Sequence, residues 1–211
     1  MNANTRRHLL QGVTIVACAL VVSSIGGWAR RATADEDVTP APVVLGDLRA
    51  LSRQLETARG ELAVARLQLE RADAVIDYST RYGIPADLAG AIYDIALAEG
   101  VEPALAFRLV KVESRFDVRA KSSAGALGLT QVLPSTARLY EPGLAAGQLY
   151  DRDTNLRLGL RYLRDLLERY DGNLERALLA YNRGPGRLQE MLDSGLASGD
   201  RYTRRVMGKT R

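Results

Sequence analysis

At 211 residues, with 46% apolar and 26% charged residues, the chain suffices for one folded domain and an extension. Its net charge of +4 comes mainly from arginines scattered along the sequence, the pattern of a solvated exterior rather than of a nucleic-acid surface. A single Cys, Cys18, and a single His, His8, both near the amino terminus, exclude an internal disulfide framework, a Cys/His metal site and any histidine-dependent triad, so neither a metal nor a cofactor is expected.

Between Arg7 and Arg30 only His8 is ionisable, and residues 9–29 are about long enough to cross a hydrocarbon core of ~30 Å as a helix. Residues 1–34 are therefore expected to act as a membrane anchor or export signal. Three fates compete, ranked in this order: an uncleaved anchor, a signal cleaved at the small residues 32–34, or lipidation at Cys18. Residues 35–44, "DEDVTPAPVV", read as a linker.

Over 45–76 the periodicity becomes strict. Leu48, Leu55, Leu62, Leu69 and Ile76 recur every seven residues, and Leu51, Ala58, Ala65 and Ala72 follow three positions later. Charges such as Arg59, Glu61 and Arg66 flank this seam. It predicts a spacer helix able to pair with a second copy or to fold back on the domain, with no chemistry of its own.

Residues 77–211 read as an all-α domain. Pro85 opens a helix with Leu88, Ile92 and Ile95 on one face, and Gly100 stands at its carboxyl end. Pro103 starts the next, carrying Leu105, Leu109 and Val112. A longer stripe holds Leu156, Leu160, Leu163, Leu167 and Tyr170, and a further helix is capped by Asn173 and closed by Gly184. Residues 119–133 lack a helical period and predict a short Gly-rich hairpin or flap.

At the end of the second helix stands Glu113, followed over 118–133 by no acid at all. Val110 and Leu109 lie one turn earlier, so the carboxyl belongs at the rim of the buried stripe. Desolvation there favours the neutral form and raises the pKa above the ~4.3 of a free Glu. That would suit a general acid; the alternative is a surface acid paired with Lys111 or Arg115.

The segment "ESRFDVRAKSSAGALGLTQVLPSTA" (113–137) resembles the signature of the goose-type lysozyme-like lytic transglycosylases, the SLT domain. Its matching positions are Glu113, Ser114, Ala120, Ser122, Gly125, Ala126, Gly128, Leu129, Gln131 and the run Pro134, Ser135, Thr136, Ala137. "NLRLGLRYLRDLL" (155–167), "AYNRGPG" (180–186) and "RYTRRV" (201–206) resemble three further blocks of that family, in the same order. Two positions depart from it: Thr130 where Met is usual, which puts an apolar contact to sugar in doubt, and Arg183 where a small residue is common, at the edge of the cleft.

The resemblance implies a lysozyme-like helical fold and cleavage of the MurNAc–GlcNAc β-1,4 bond of peptidoglycan without water, giving 1,6-anhydroMurNAc ends. It implies Glu113 as the catalytic acid and base. Ser122, Gln131, Tyr181, Asn182 and Tyr202 would bind substrate, with Ser114, Gly125 and Gly128 in support. The acid-free flap agrees with that chemistry, since a hydrolase needs a second carboxylate at ~5 Å or ~6.5–9.5 Å. Two other readings stay open: a muramidase in which Asp117, Asp151 or Asp153 serves as base, and a wall-binding scaffold without activity. The expected partners are glycan strands, the membrane through the first segment, and a second copy through the heptads, with no nucleic acid; the expected location is the cell envelope or periplasm.

Overall fold

The computed structural model describes residues 41–195 and 200–208, with side chains from residue 45 onward. The described elements are helices, in chain order α1 (Ala41–Tyr82), α2 (Ala86–Ala98), α3 (Pro103–Glu113), α4 (Pro134–Tyr140), a 3-10 turn (Ala146–Tyr150), α5 (Arg152–Arg169), α6 (Leu174–Arg183), α7 (Pro185–Asp193) and α8 (Arg201–Val206). The expected hairpin is reduced to two isolated antiparallel bridges, Lys121 with Leu127 and Leu127 with Val132; no strand occurs among the described residues. The expected membrane segment lies outside the described residues, and among these no helix is long and apolar enough to cross a membrane.

The chain divides into two units, Met1–Ala63 and Val64–Arg211. The described part of the first is the amino-terminal portion of α1, which begins at Ala41, inside the segment read as a linker. Along the whole helix the large seam residues, Leu48, Leu51, Leu55, Leu62, Leu69 and Ile76, are between 48% and 63% exposed.

In the second unit the end of α1 enters the core. Val75 is buried, and Phe107 of α3 stacks on Tyr78 at 4.0 Å and on Tyr82 at 5.4 Å between ring centroids. Around them close Leu88 and Ile92 of α2, Leu105, Leu109 and Val110 of α3, Leu156, Leu160 and Leu163 of α5, Leu178 of α6 and Val206 of α8. These are largely the stripes that periodicity picks out.

The breaks between helices are local chemistry. Pro85 and Pro103 stand at helix starts, where their missing N–H costs nothing. Asn173 accepts from the Arg176 amide at 3.0 Å as N-cap of α6, and Gly184 ends that helix at φ +86°. Polar ties hold α2 to α5: buried Glu99 takes two N–H groups of Arg161 at 3.0 Å and Arg164 at 3.4 Å, and Asp87 takes Arg152 at 3.2 Å.

Candidate active site

Glu113 is the last residue of α3, and the chain turns away immediately after it. The turn is built by Ser114, whose buried hydroxyl donates to the Val110 carbonyl at 3.1 Å and accepts from the Phe116 amide at 3.1 Å. Arg115 and Phe116 then take left-handed backbone at φ +55° and +67°. This ends the helix on its acid, at the rim of the core.

Burial pushes the Glu113 carboxyl up to about 7, against a hydrogen bond from the Tyr202 hydroxyl that lowers it. That hydroxyl donates to Oε1 at 2.5 Å. Lys111 lies over the Tyr82 ring, 5.2 Å from its centroid, and no ion pair between Glu113 and Lys111 or Arg115 occurs among the described residues. The surface-pair alternative is therefore not what the structure contains. No neighbouring carboxylate has a part in raising Glu113 either.

Tyr202 sits on α8, whose N-cap Asp200 accepts from the Thr203 amide at 3.0 Å. Arg183, at the end of α6, reaches Oδ2 of the same Asp200 with Nε at 3.2 Å and Nη2 at 2.9 Å. Although burial pushes Asp200 up, the Thr203 amide and Arg183 together hold it below the usual carboxylate range. Arg183 thus ties the helix of Tyr181 to the helix of Tyr202.

Tyr181 is partly buried beside the acid, and desolvation together with the charge of Glu113 raises its hydroxyl well above its ordinary value. It donates to the Thr130 carbonyl at 2.8 Å and so holds the flap rather than Glu113. Asn182, next along, is exposed at the end of α6.

The flap spends most of the remaining predicted residues on itself. Gln131, at φ +51°, gives its side-chain N–H groups to the Gly128 carbonyl at 2.9 Å and the Ala120 carbonyl at 3.2 Å. Ser122 accepts the Ala126 amide at 3.0 Å. Gly125 and Gly128 adopt φ +84° and +74°; at Gly128 a Cβ would collide with Nδ2 of Asn155, so its smallness admits that side chain.

Asn155 is the residue that sequence reasoning missed. Fully enclosed at the start of α5, it accepts from the Thr130 amide and the Thr130 hydroxyl, both at 2.8 Å, and donates to the carbonyls of Leu127 at 2.8 Å and Leu149 at 2.9 Å. Thr130 is itself fully buried and points at α5; a Cβ on Gly159 would collide with its Oγ1. Thr130 therefore works inside the fold, where an apolar contact to sugar was the question. The signal was present as an Asn and a Gly four residues apart on an otherwise leucine-lined face.

The acids considered as a second catalytic group are otherwise engaged. Asp117 accepts the Arg119 amide at 2.8 Å, Asp151 caps α5 through the Thr154 amide at 2.9 Å, and Asp153 takes Arg152 at 2.7 Å. The bond to Thr154 holds Asp151 below the usual carboxylate range, the wrong direction for a group that must pick up a proton near neutrality.

Comparison with known proteins gives a consistent picture. Residues 90–201 match the family described as "Transglycosylase SLT domain". The soluble lytic murein transglycosylase of Escherichia coli (strain K12) is 36% identical over 93 residues, 41% of this chain and 14% of that protein. Membrane-bound lytic murein transglycosylase D of the same organism is 37% identical over 92 residues, 42% of this chain and 20% of that protein. The matched part is thus a small fraction of those relatives.

Among solved structures, the 70 kDa soluble lytic transglycosylase of Escherichia coli superposes with a TM-score of 0.52 at 25% identity, over 63% of this chain and 24% of that one. An inactive glutamate-to-glutamine mutant of the lytic transglycosylase Slt of Pseudomonas aeruginosa does so with a TM-score of 0.50 at 28% identity, over 56% and 22%.

Proposed function

The chain belongs to the transglycosylase SLT domain family, and from that premise we propose that it cleaves the MurNAc–GlcNAc β-1,4 bond of peptidoglycan as a lytic transglycosylase. The observation that carries this reading is the state of Glu113: a solitary carboxyl, raised to about 7 by burial and touched by one phenolic donor.

A group with that pKa is divided between acid and base near neutral pH, as a residue serving both roles requires. In the first step the Glu113 proton passes to the glycosidic oxygen as the C1–O bond breaks, and the 2-acetamido oxygen of the same sugar closes on C1. In the second, the Glu113 carboxylate takes the proton of the C6 hydroxyl, whose oxygen displaces the acetamide at C1. The acid is restored and no water is consumed. The sugar supplies both nucleophiles, so one protein carboxyl suffices, and the engagement of Asp117, Asp151 and Asp153 elsewhere supports this over hydrolysis.

Tyr202 keeps Glu113 oriented and opposes the rise in its pKa. Tyr181, through the Thr130 carbonyl, and Gln131, through its two flap bonds, hold the flap in one conformation, and exposed Asn182 is the candidate to meet the glycan directly. We place the protein at the cell envelope, tethered through residues 1–34.

Zymography of the purified chain on sacculus-impregnated gel tests the assignment. Clearing by the wild type and none by Glu113→Gln is expected; equal clearing by the mutant would remove Glu113 from the mechanism, and none by either would favour the scaffold reading.

A further inference from the structure

The heptad face of α1 is an exposed apolar feature of the described chain that the catalytic reading leaves unused. Leu48, Leu55, Leu62 and Leu69 form one column and Leu51, Ala58 and Ala65 the next, on a helix that runs unbroken from Ala41 to Tyr82. Each of these leucines is about half exposed or more, whereas an amphipathic surface helix normally buries such a stripe. With large residues in one column and mostly alanine in the other, the apolar strip is narrow. Such a strip suits one partner helix, and Val64 and Leu67, also exposed, stand at the outward c and f positions.

The flanking positions indicate which partner and in which direction. With the leucine column as position a of the heptad, position e holds Ser52, Arg59 and Arg66, while position g holds Asp47, Gln54, Glu61 and Gln68. The e edge is basic and the g edge is acidic or neutral. In a parallel, in-register pair each g residue meets the e residue five positions later on the other helix. Asp47 then meets Ser52, Gln54 meets Arg59, and Glu61 meets Arg66, so no like charges oppose.

In an antiparallel pair e faces e and g faces g, which sets arginine against arginine and Asp47 or Glu61 against its like. Glu61 and Arg66 are exposed and take no partner among the described residues; Arg59 already holds Glu56 of its own helix at 2.9 Å. The charge that is left over on each edge is thus complementary to the opposite edge of an identical helix lying in the same direction.

We propose that the chain self-associates as a parallel, in-register two-stranded coiled coil over residues 48–69, with Glu61 of each copy paired to Arg66 of the other. The seam takes no part in glycan cleavage, so this pairing stands or falls independently of the proposed activity. Two catalytic units are thereby carried on helices that start at the same end.

Sedimentation equilibrium of the full chain, held in mild detergent and with Cys18→Ser throughout, tests the proposal. A dimer is expected, and Leu55→Glu with Leu62→Glu should turn it into a monomer while soluble-glycan cleavage stays unchanged. Glu61→Arg should weaken the dimer roughly tenfold, since it sets two like-charge pairs against each other, and adding Arg66→Glu should restore it. Under oxidation Leu51→Cys should cross-link to its own copy, which an antiparallel pair would hold apart.

A monomeric wild type overturns the proposal, and with it would follow coverage of the seam by this chain's own domain or by a different protein. So would a dimer that survives the double glutamate variant, a trimer, or failure of the charge swap or of the Leu51→Cys cross-link.

Discussion

Replacing Tyr202 by Phe removes one oxygen from the site and leaves the ring in place, which makes it a clean probe of the acid. The hydroxyl donates to Glu113 at 2.5 Å and favours its charged form, in opposition to burial. A hydrogen bond to a charged group contributes about 1.5–3 kcal/mol, and each pKa unit corresponds to 1.36 kcal/mol, so its loss should raise Glu113 from about 7 to between about 8 and 9. Protonated Glu113 is the form that begins the reaction. The alkaline limb of kcat/KM, read from initial rates of sacculus clearing across pH 5 to 10, should therefore move up by about one unit or more. The same upward move should appear when the carboxyl is followed directly by carbon-13 NMR. An alkaline limb that stays in place, or moves down, would refute the claim that this contact and burial together set the acid.

Other consequences follow from the same geometry. Because folding raises Glu113 from 4.5 to about 7, the wild type is penalised by about 3 kcal/mol once pH exceeds the folded value; the penalty is absent below the free value. Relative to wild type, Glu113→Gln should gain about that much stability between pH 4 and pH 8 in chemical denaturation. Arg183→Ala should lower kcat by roughly two- to fivefold at low salt, the scale of an exposed ion pair, with the gap closing in molar salt. Asp200→Asn, which can still cap α8, should reproduce that loss without unfolding the helix, and wild-type rates from either variant at low salt would dismiss the tie. Asn155→Ala takes the side-chain partner from the Thr130 amide and the Leu149 carbonyl inside the fold, while the Leu127 carbonyl keeps the Val132 amide, and should cost about 3 kcal/mol in thermal unfolding. A change under 1 kcal/mol would show that water replaces the amide.

Much of the helical frame was legible because helix ends are written locally. Pro85, Pro103, Asn173 and Gly184 act within a turn of themselves, and the leucine stripes need only the 3.6-residue period. Glu113 was legible as an acid at a helix end, since the apolar residues that desolvate it lie in the preceding turn. Its partner was not legible from pattern, because Tyr202 is 89 positions away and is brought near by the packing of α3 against α8. The flap was read as irregular, and it is. What fixes it lies far off in the chain: Asn155 of α5 and Tyr181 of α6 converge on Thr130 from 25 and 51 positions away. Spacing marks Asn155 and Gly159 as out of place on a leucine-lined face, but it carries no trace of which distant residues they meet. The departures at Thr130 and Arg183 likewise looked like substitutions toward the substrate, and the structure turns both toward protein partners.

The account rests on Glu113 working alone with a sugar that attacks itself, and digestion of purified sacculi in oxygen-18 water tests that most directly. Mass spectrometry of the released muropeptides should find 1,6-anhydro muramic ends, one water lighter than reducing ends, with no label at C1. Labelled reducing ends would mean that water is the nucleophile and that a second group activates it, which contradicts the mechanism.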